Sequence, residues 1–175
     1  MHIDNKDEYI SRLLVQAQDK LEVFRGPLKA SWLLEGGEGS SIWLMSNSGK
    51  EEYIDGHWSN IRRINFSTVF SDGSNLLDQE NKILLDTIQR WAFLMKSGLL
   101  GHSCTPDNLI NCVGWIKNLG SWLILHQNVY RPKEKGFMDL DQDGVSTLFK
   151  DLSVDGWCEA LNYIPRALSA LLTHC

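Results

Sequence analysis

The stretch Asp139–Gly144, which reads DLDQDG, has the residue types and spacing of the first half of a calcium-binding EF-hand loop. Such a loop needs a bidentate carboxylate at its twelfth position, and that position here is Lys150, a cation where the ion requires an anion. Acidic side chains also favour the first turn of a helix, where they accept hydrogen bonds from backbone N–H groups. We therefore expect no metal, and a helix over Gly144–Leu152 that is capped by Asp141 or Asp143.

Other chemical motifs are absent from the sequence. It contains no GxSxG, HExxH or GxxxxGK[ST] pattern. The four cysteines form no CxxC pair, which argues against zinc and favours free thiols. The glycine-rich segment Gly36–Gly39 lacks the Lys and helix that follow a phosphate loop, so we interpret it as a turn between strands. We expect no cofactor. A small enzyme whose site is assembled from scattered Cys, His and Asp is the weakest functional hypothesis.

Basic side chains are the remaining groups with a recognisable chemistry, because Lys and Arg contact nucleic-acid phosphates. Arg62 and Arg63 lie near Trp58 and Phe66 in the sequence. Further candidates lie at the end of one predicted helix, on the next helix and in the loop after it. The candidate phosphate contacts are Lys96, Lys117, Arg131, Lys133 and Lys135. A DNA-binding function requires that they gather on one surface, and the alternative interpretation is an ordinary solvated surface.

Length, composition and charge narrow the class of protein. The chain has 175 residues, of which 43% are hydrophobic and 22% charged, as in an ordinary globular protein. The net charge of −5 argues against a strong autonomous nucleic-acid binder, although a module with a few clustered cations fits it. Apolar runs are far shorter than the ~20 residues that span a bilayer, and the N-terminus lacks a signal-peptide core. We expect a cytoplasmic protein that does not contact a membrane.

Apolar spacing predicts an α+β protein in two parts. Residues 1–75 are expected to form an N-terminal αβ region that begins with an amphipathic helix from about Asn5 to Phe24. Turn-forming residues then separate three segments with strand character, and an antiparallel meander is their simplest arrangement. The predicted strands are Leu28–Leu34, Ser41–Ser46 and Glu51–Asp55.

Residues 76–175 are expected to form a helical domain of four helices. Asp78 can cap the first helix, which ends at Gly98, and Thr105-Pro106-Asp107 is a strong start signal for the second. The second helix is apolar on several faces, which predicts that it is central and buried, and Tyr130–Phe137 is predicted to be a basic loop. The third helix is Gly144–Leu152 and the fourth runs from about Trp157 to Leu172. The expected core tryptophans are Trp91, Trp115 and Trp122.

The helical part resembles a known family. A helix over Leu76–Trp91 is followed by a long helix over Leu109–Gln127, and then by Met138–Asp141, which opens a short helix that reads VSTLFKDL. This order resembles the N-terminal, core-binding (SAM-like) region of tyrosine recombinases, or phage-type integrases. The strands around Trp32 and Trp43 look like the extra N-terminal region of some larger integrases.

The resemblance implies a helical module that closes over one side of duplex DNA. The family's catalytic Arg, Lys, His-x-x-Arg motif and nucleophilic Tyr lie in a separate C-terminal domain, and this sequence reproduces none of those motifs. The leading hypothesis is therefore a DNA-binding N-terminal fragment of a site-specific recombinase, with DNA and a catalytic domain of the same parent chain as partners. The alternative is a protein–protein interaction or regulatory module that binds no nucleic acid, with exposed Trp side chains as anchors.

Overall fold

The computed structural model describes residues 26–46, 52–54, 57–59, 61–99 and 103–154 of the chain. These residues form an α+β protein, as predicted. The strands are β1 (Leu33–Glu35), β2 (Ile42–Ser46), β3 (Glu52–Ile54), β4 (His57–Ser59) and β5 (Ile61–Asn65). A 3-10 turn at Gln79–Asn81 leads into α1 (Lys82–Ser97), α2 (Pro106–Leu125), α3 (Gln127–Tyr130), α4 (Pro132–Lys135) and α5 (Gln142–Val154). The predicted helices at 5–24 and 157–172 lie outside the described residues, so the four-helix arrangement stays a prediction.

The three-stranded sheet has the order β1-β2-β5, and both pairings are antiparallel. The predicted meander is therefore wrong in its third strand, because Glu52–Ile54 pairs with β4 in a separate two-stranded sheet. In the β2–β5 ladder Trp43 lies opposite Ile64, and both side chains are buried. The Trp43 ring also meets Phe66 edge-on, with 5.0 Å between the ring centroids. Burial of these aromatic and branched side chains selects β5 as the partner, since cross-strand pairs stabilise a particular register.

Gly36–Gly39 forms the turn between β1 and β2, as predicted, and Gly36 is required there. Its φ is 104°, a region that residues with a Cβ rarely adopt. An added Cβ at Gly36 would also lie 2.5 Å from Cδ1 of Trp43. The Trp43 indole Nε1–H donates a hydrogen bond to the carbonyl oxygen of Gly37 at 2.8 Å, so this turn closes over the buried indole.

The predicted end of α1 is confirmed, but the predicted cap is not. Gly98 adopts a left-handed conformation with φ of 74°, and its N–H donates to the helix as a C-terminal cap. Asp78 makes no side-chain cap hydrogen bond. Its Oδ2 instead accepts a hydrogen bond from the N–H of Asn75 at 2.7 Å and closes the turn before the helix.

Two other helix caps follow the sequence signals. Thr105 is the N-cap of α2, and its hydroxyl accepts a hydrogen bond from the N–H of Asn108 at 3.3 Å. Asp141 precedes α5, and its Oδ1 accepts from the N–H of Gly144 at 2.8 Å, which confirms the capping interpretation of the acidic stretch. The predicted loop at 130–137 is wrong, because Pro132 begins the helical turn α4 and only Arg131, with φ of 43°, separates it from α3.

One hydrophobic core joins the sheet to the helices. It combines Trp43, Met45 and Ile64 of the sheet with apolar residues of α1, α2 and α5. The core runs across the predicted boundary at residues 75/76. Trp91 and Trp122 are buried as expected, whereas Trp115 is half-buried. In the parts of the chain that are described, no helix has the length and apolarity needed to cross a membrane.

Candidate nucleic-acid interface

Lys96 does not present its charge to solvent. It lies in the last turn of α1, where only 7% of the residue is exposed. Its Nζ lies 5.9 Å from the ring centroid of Trp32, which places the ammonium in a cation–π contact. The adjacent Ser103 hydroxyl donates to the Lys96 carbonyl oxygen at 2.7 Å. This lysine therefore joins α1 to the segment before β1.

The three cations around α4 have different surroundings. Lys133 Nζ lies 2.7 Å from Asp72 Oδ2 and 2.8 Å from Glu80 Oε1, so one ammonium bridges two carboxylates. These hydrogen bonds raise the pKa of Lys133, and the bond from Lys133 is the main reason that the pKa of Asp72 falls to about 2. Lys135 pairs with Asp139 at 2.9 Å. Arg131 is exposed, and among the described residues its guanidinium forms no ion pair.

Lys117 has a specific position at the junction of α2 and β5. Its Nζ donates hydrogen bonds to the backbone carbonyl oxygens of Asn65 and Ser67, each at 3.0 Å. Partial burial lowers the pKa of Lys117. An ammonium has three donors, so one N–H of Lys117 is not used by these two bonds.

Two cations that the sequence singled out only in passing, Arg62 and Arg63, lie on β5, the strand whose last residue Lys117 contacts. Arg62 Nε lies 2.7 Å from Asp107 Oδ1, in the first turn of α2. Arg63 is exposed on the same strand, and β5 is at the edge of the three-stranded sheet. Since Lys117 lies ten residues after Asp107, the Arg62 ion pair and Lys117 are about 15 Å apart along the axis of α2. Arg63 follows Arg62 in an extended strand, so its side chain points to the opposite face of the sheet. We call Arg62, Arg63 and Lys117 the β5–α2 edge.

A groove of about 720 Å³ lies along α1 and α2. From α1 it is lined by Trp91 and Met95, and Cys104 lies on it just before α2. Burial raises the pKa of Cys104 and of its neighbour Cys112, so both are neutral thiols at pH 7. The other lining residues of α2 are Asn108, Ile110, Asn111, Gly114, Trp115 and Asn118. We call this surface the α1–α2 groove.

The α1–α2 groove corrects the expectation that α2 is buried on several faces. Asn108, Asn111 and Asn118 are exposed and recur at intervals of three and seven residues, which keeps them on one side of a helix. The apolar stripe of Leu109, Val113 and Ile116 faces the core instead. The spacing of the asparagines was a signal for this surface, but the strong apolar content of α2 obscured it.

The described residues contain no group of three His, Cys, Asp or Glu side chains placed to hold a metal ion. Comparisons with protein-family models, with curated proteins and with solved structures find no match to this chain.

Proposed function

We propose that this protein is the DNA-binding N-terminal part of a site-specific recombinase of the tyrosine class, and that a separate domain performs the strand-exchange chemistry. The observation that carries the proposal is the β5–α2 edge, where Arg62 pairs with the first turn of α2 and Lys117 in the middle of α2 contacts the end of the same strand. The order of elements in the helical part, which resembles the core-binding region of that family, supports the same assignment.

The dimensions of the β5–α2 edge suit a DNA backbone. Phosphates of one strand follow each other every ~3.4 Å of helix axis, so the ~15 Å edge spans about four of them. Arg62 and Arg63 are exposed to solvent, while Lys117 is held in place by two carbonyl groups. The ion pair between Arg62 and Asp107 does not prevent Arg62 from binding a phosphate, because exposed ion pairs contribute only about 0–1 kcal/mol to stability.

Three cations give a modest affinity. Neutralising three phosphates makes the logarithm of the binding constant fall with the logarithm of the salt concentration at a slope of about −2.7. Between 50 and 200 mM salt the affinity then falls roughly 40-fold. A module of this kind, in a chain with a net charge of −5, would depend on additional contacts from a partner domain.

The experiment is a fluorescence-anisotropy titration of a 20-base-pair duplex at several salt concentrations. The variant Arg62→Glu with Arg63→Glu should lose most of the affinity. The matched control, Lys29→Glu with Lys82→Glu, changes the net charge equally at exposed positions outside the β5–α2 edge and should lose much less. Equal losses, or no binding of the unmodified protein at 50 mM salt, would overturn the proposal.

The second candidate is a protein–protein interaction or regulatory module that binds no nucleic acid. The pairing of the α4 lysines favours it, because Lys133 would have to leave two carboxylates, and Lys135 one, before either could contact a phosphate. Failure of the duplex titration would support this candidate.

A further inference from the structure

We propose that Asp107 competes with DNA for Arg62: its carboxylate holds the guanidinium in the free protein and is exchanged for a phosphate when a duplex binds. The proposal rests on the DNA-binding function of the β5–α2 edge and adds to it a residue that limits the affinity.

One side of the Arg62 guanidinium is occupied by the Asp107 carboxylate. Arg62 Nε lies 2.7 Å from Asp107 Oδ1, and Nη1 donates a hydrogen bond to the backbone carbonyl oxygen of Ile61 at 3.2 Å. A guanidinium binds carboxylates and phosphates most strongly through two parallel N–H···O bonds, and Nε is one of the nitrogens that form such a pair. The Asp107 oxygen therefore lies where a phosphate oxygen would otherwise bind.

The ion pair is placed so that a ligand can exchange with it. Asp107 lies in the first turn of α2, after the N-cap Thr105, so the helix fixes its backbone position. The exposed fractions are 46% for the Arg62 side chain and 67% for that of Asp107, so a phosphate can reach the guanidinium without any movement of the core. Exposed ion pairs of this kind are weak, which makes the exchange reversible.

The exchange lowers the affinity for DNA in two ways. Arg62 gives up one charge-assisted hydrogen bond in order to form another, so only the difference between the two bonds favours binding. The released Asp107 carboxylate then lies beside the phosphate that has replaced it, and the two negative charges repel each other. Salt screens this repulsion, so we expect the effect of Asp107 to be largest at low salt.

Asp107 also has a structural role, because an acidic side chain in the first turn stabilises a helix whether or not a ligand binds. Asp143 occupies the same place in α5, is exposed and lies outside the β5–α2 edge. Asp143→Asn is therefore a matched control for Asp107→Asn, since it removes the same charge from the same part of a helix. Both variants should lose a little stability in urea denaturation.

The test is the anisotropy titration of the 20-base-pair duplex at 50 and 200 mM salt. Asp107→Asn should bind the duplex roughly three- to fivefold more tightly than the unmodified protein at 50 mM salt, with a smaller gain at 200 mM. Asp143→Asn should change the affinity much less. When Arg62 is already replaced by Gln, the Asp107→Asn substitution should give little or no gain, because no guanidinium remains to be released.

The exchange itself can be followed by NMR through the Nε–H signal of Arg62, which is assigned by its loss in the Arg62→Gln variant. We expect this signal to shift in Asp107→Asn, and also when duplex is added to the unmodified protein.

Three results would each rule out the competition and leave duplex binding by the β5–α2 edge intact. They are a duplex that binds without moving the Arg62 signal, an equal gain of affinity in the two Asn variants, and a gain that persists in the Arg62→Gln background. If the unmodified protein and all variants fail to bind the duplex at 50 mM salt, the DNA-binding function and the competition are both overturned.

Discussion

Lys117 donates a hydrogen bond from Nζ to the backbone carbonyl oxygen of Asn65 across 3.0 Å, and so joins the middle of α2 to the last residue of β5. The same ammonium bonds to Ser67 just beyond the strand. A side chain that binds two carbonyl groups of one segment fixes the position of that segment on the helix. The basic β5–α2 edge therefore depends on a contact between residues 52 positions apart in sequence.

Replacement of Lys117 by Met removes both hydrogen bonds and one charge of the β5–α2 edge. We expect the free energy of unfolding to fall by about 1–2 kcal/mol, since hydrogen bonds to charged groups are among the stronger ones and water can reach this half-buried site. The salt slope for duplex binding should become less steep by about 0.9. Urea denaturation and the anisotropy titration measure the two effects. An unchanged slope would show that Lys117 does not meet phosphate.

The ion pair between Asp72 and Lys133 predicts a pH-dependent contribution to stability. Because the native pKa of Asp72 lies at about 2, below its ordinary value of 3.8, the stabilisation is present above pH 3.8 and is lost as the pH falls towards 2. We expect Asp72→Asn to be less stable than the unmodified protein by about 1 kcal/mol at pH 7, after allowance for solvent screening. Denaturation curves at pH 7 and at pH 2 should show that this difference in stability disappears near pH 2. A difference that persists there would contradict the ion-pair explanation.

Gly114 in α2 and Gly98 at the end of α1 should respond to alanine in opposite directions. Gly114→Ala should stabilise the protein by up to about 1 kcal/mol, because the site has helical backbone and open space around it. Gly98→Ala should destabilise it by about 1 kcal/mol or more, because φ there is 74° and an added Cβ would lie 3.2 Å from the nitrogen of Ser103. Thermal and urea denaturation of the two variants give a direct comparison. Destabilisation by Gly114→Ala would show that packing, and not an open groove, requires that glycine.

The start of α2 depends on the side chain of Thr105. Thr105→Ala removes the hydroxyl that accepts from Asn108 and should cost about 1 kcal/mol of stability. Thr105→Ser keeps the hydroxyl and should cost only a few tenths of that amount. The two variants can be compared by urea denaturation. Equal losses would mean that the methyl group, and not the cap, matters.

Lys96 was among the sequence-predicted phosphate contacts, and its buried position leads to a different expectation. Lys96→Met keeps the aliphatic stem but removes the charge beside Trp32, so stability should fall by about 0.5–1 kcal/mol. Duplex affinity should not change. A loss of affinity comparable to that of the Arg62→Glu, Arg63→Glu variant would show that the ammonium is available to DNA.

Sequence patterns predicted the helices better than the sheet. Thr105, Gly98 and Asp141 lie at helix ends as expected, because capping is a matter of a few neighbouring residues. The pairing of β2 with β5 was not predicted, and neither was β4. Alternation of apolar residues indicates that a segment is extended, but it contains no information about its partner strand.

Local chemistry in the sequence determined where α1 ends, where α2 begins, and that the acidic stretch before α5 serves as a cap. Tertiary structure decided which cations are available. It buried Lys96 against Trp32, paired Lys133 with Asp72 and Glu80, and placed Lys117 beside β5, the strand that carries the two arginines. The sequence gives the number of cationic side chains. Whether a cation is available to a ligand depends on the carboxylates, carbonyls and aromatic rings that distant segments bring within about 3–6 Å of it.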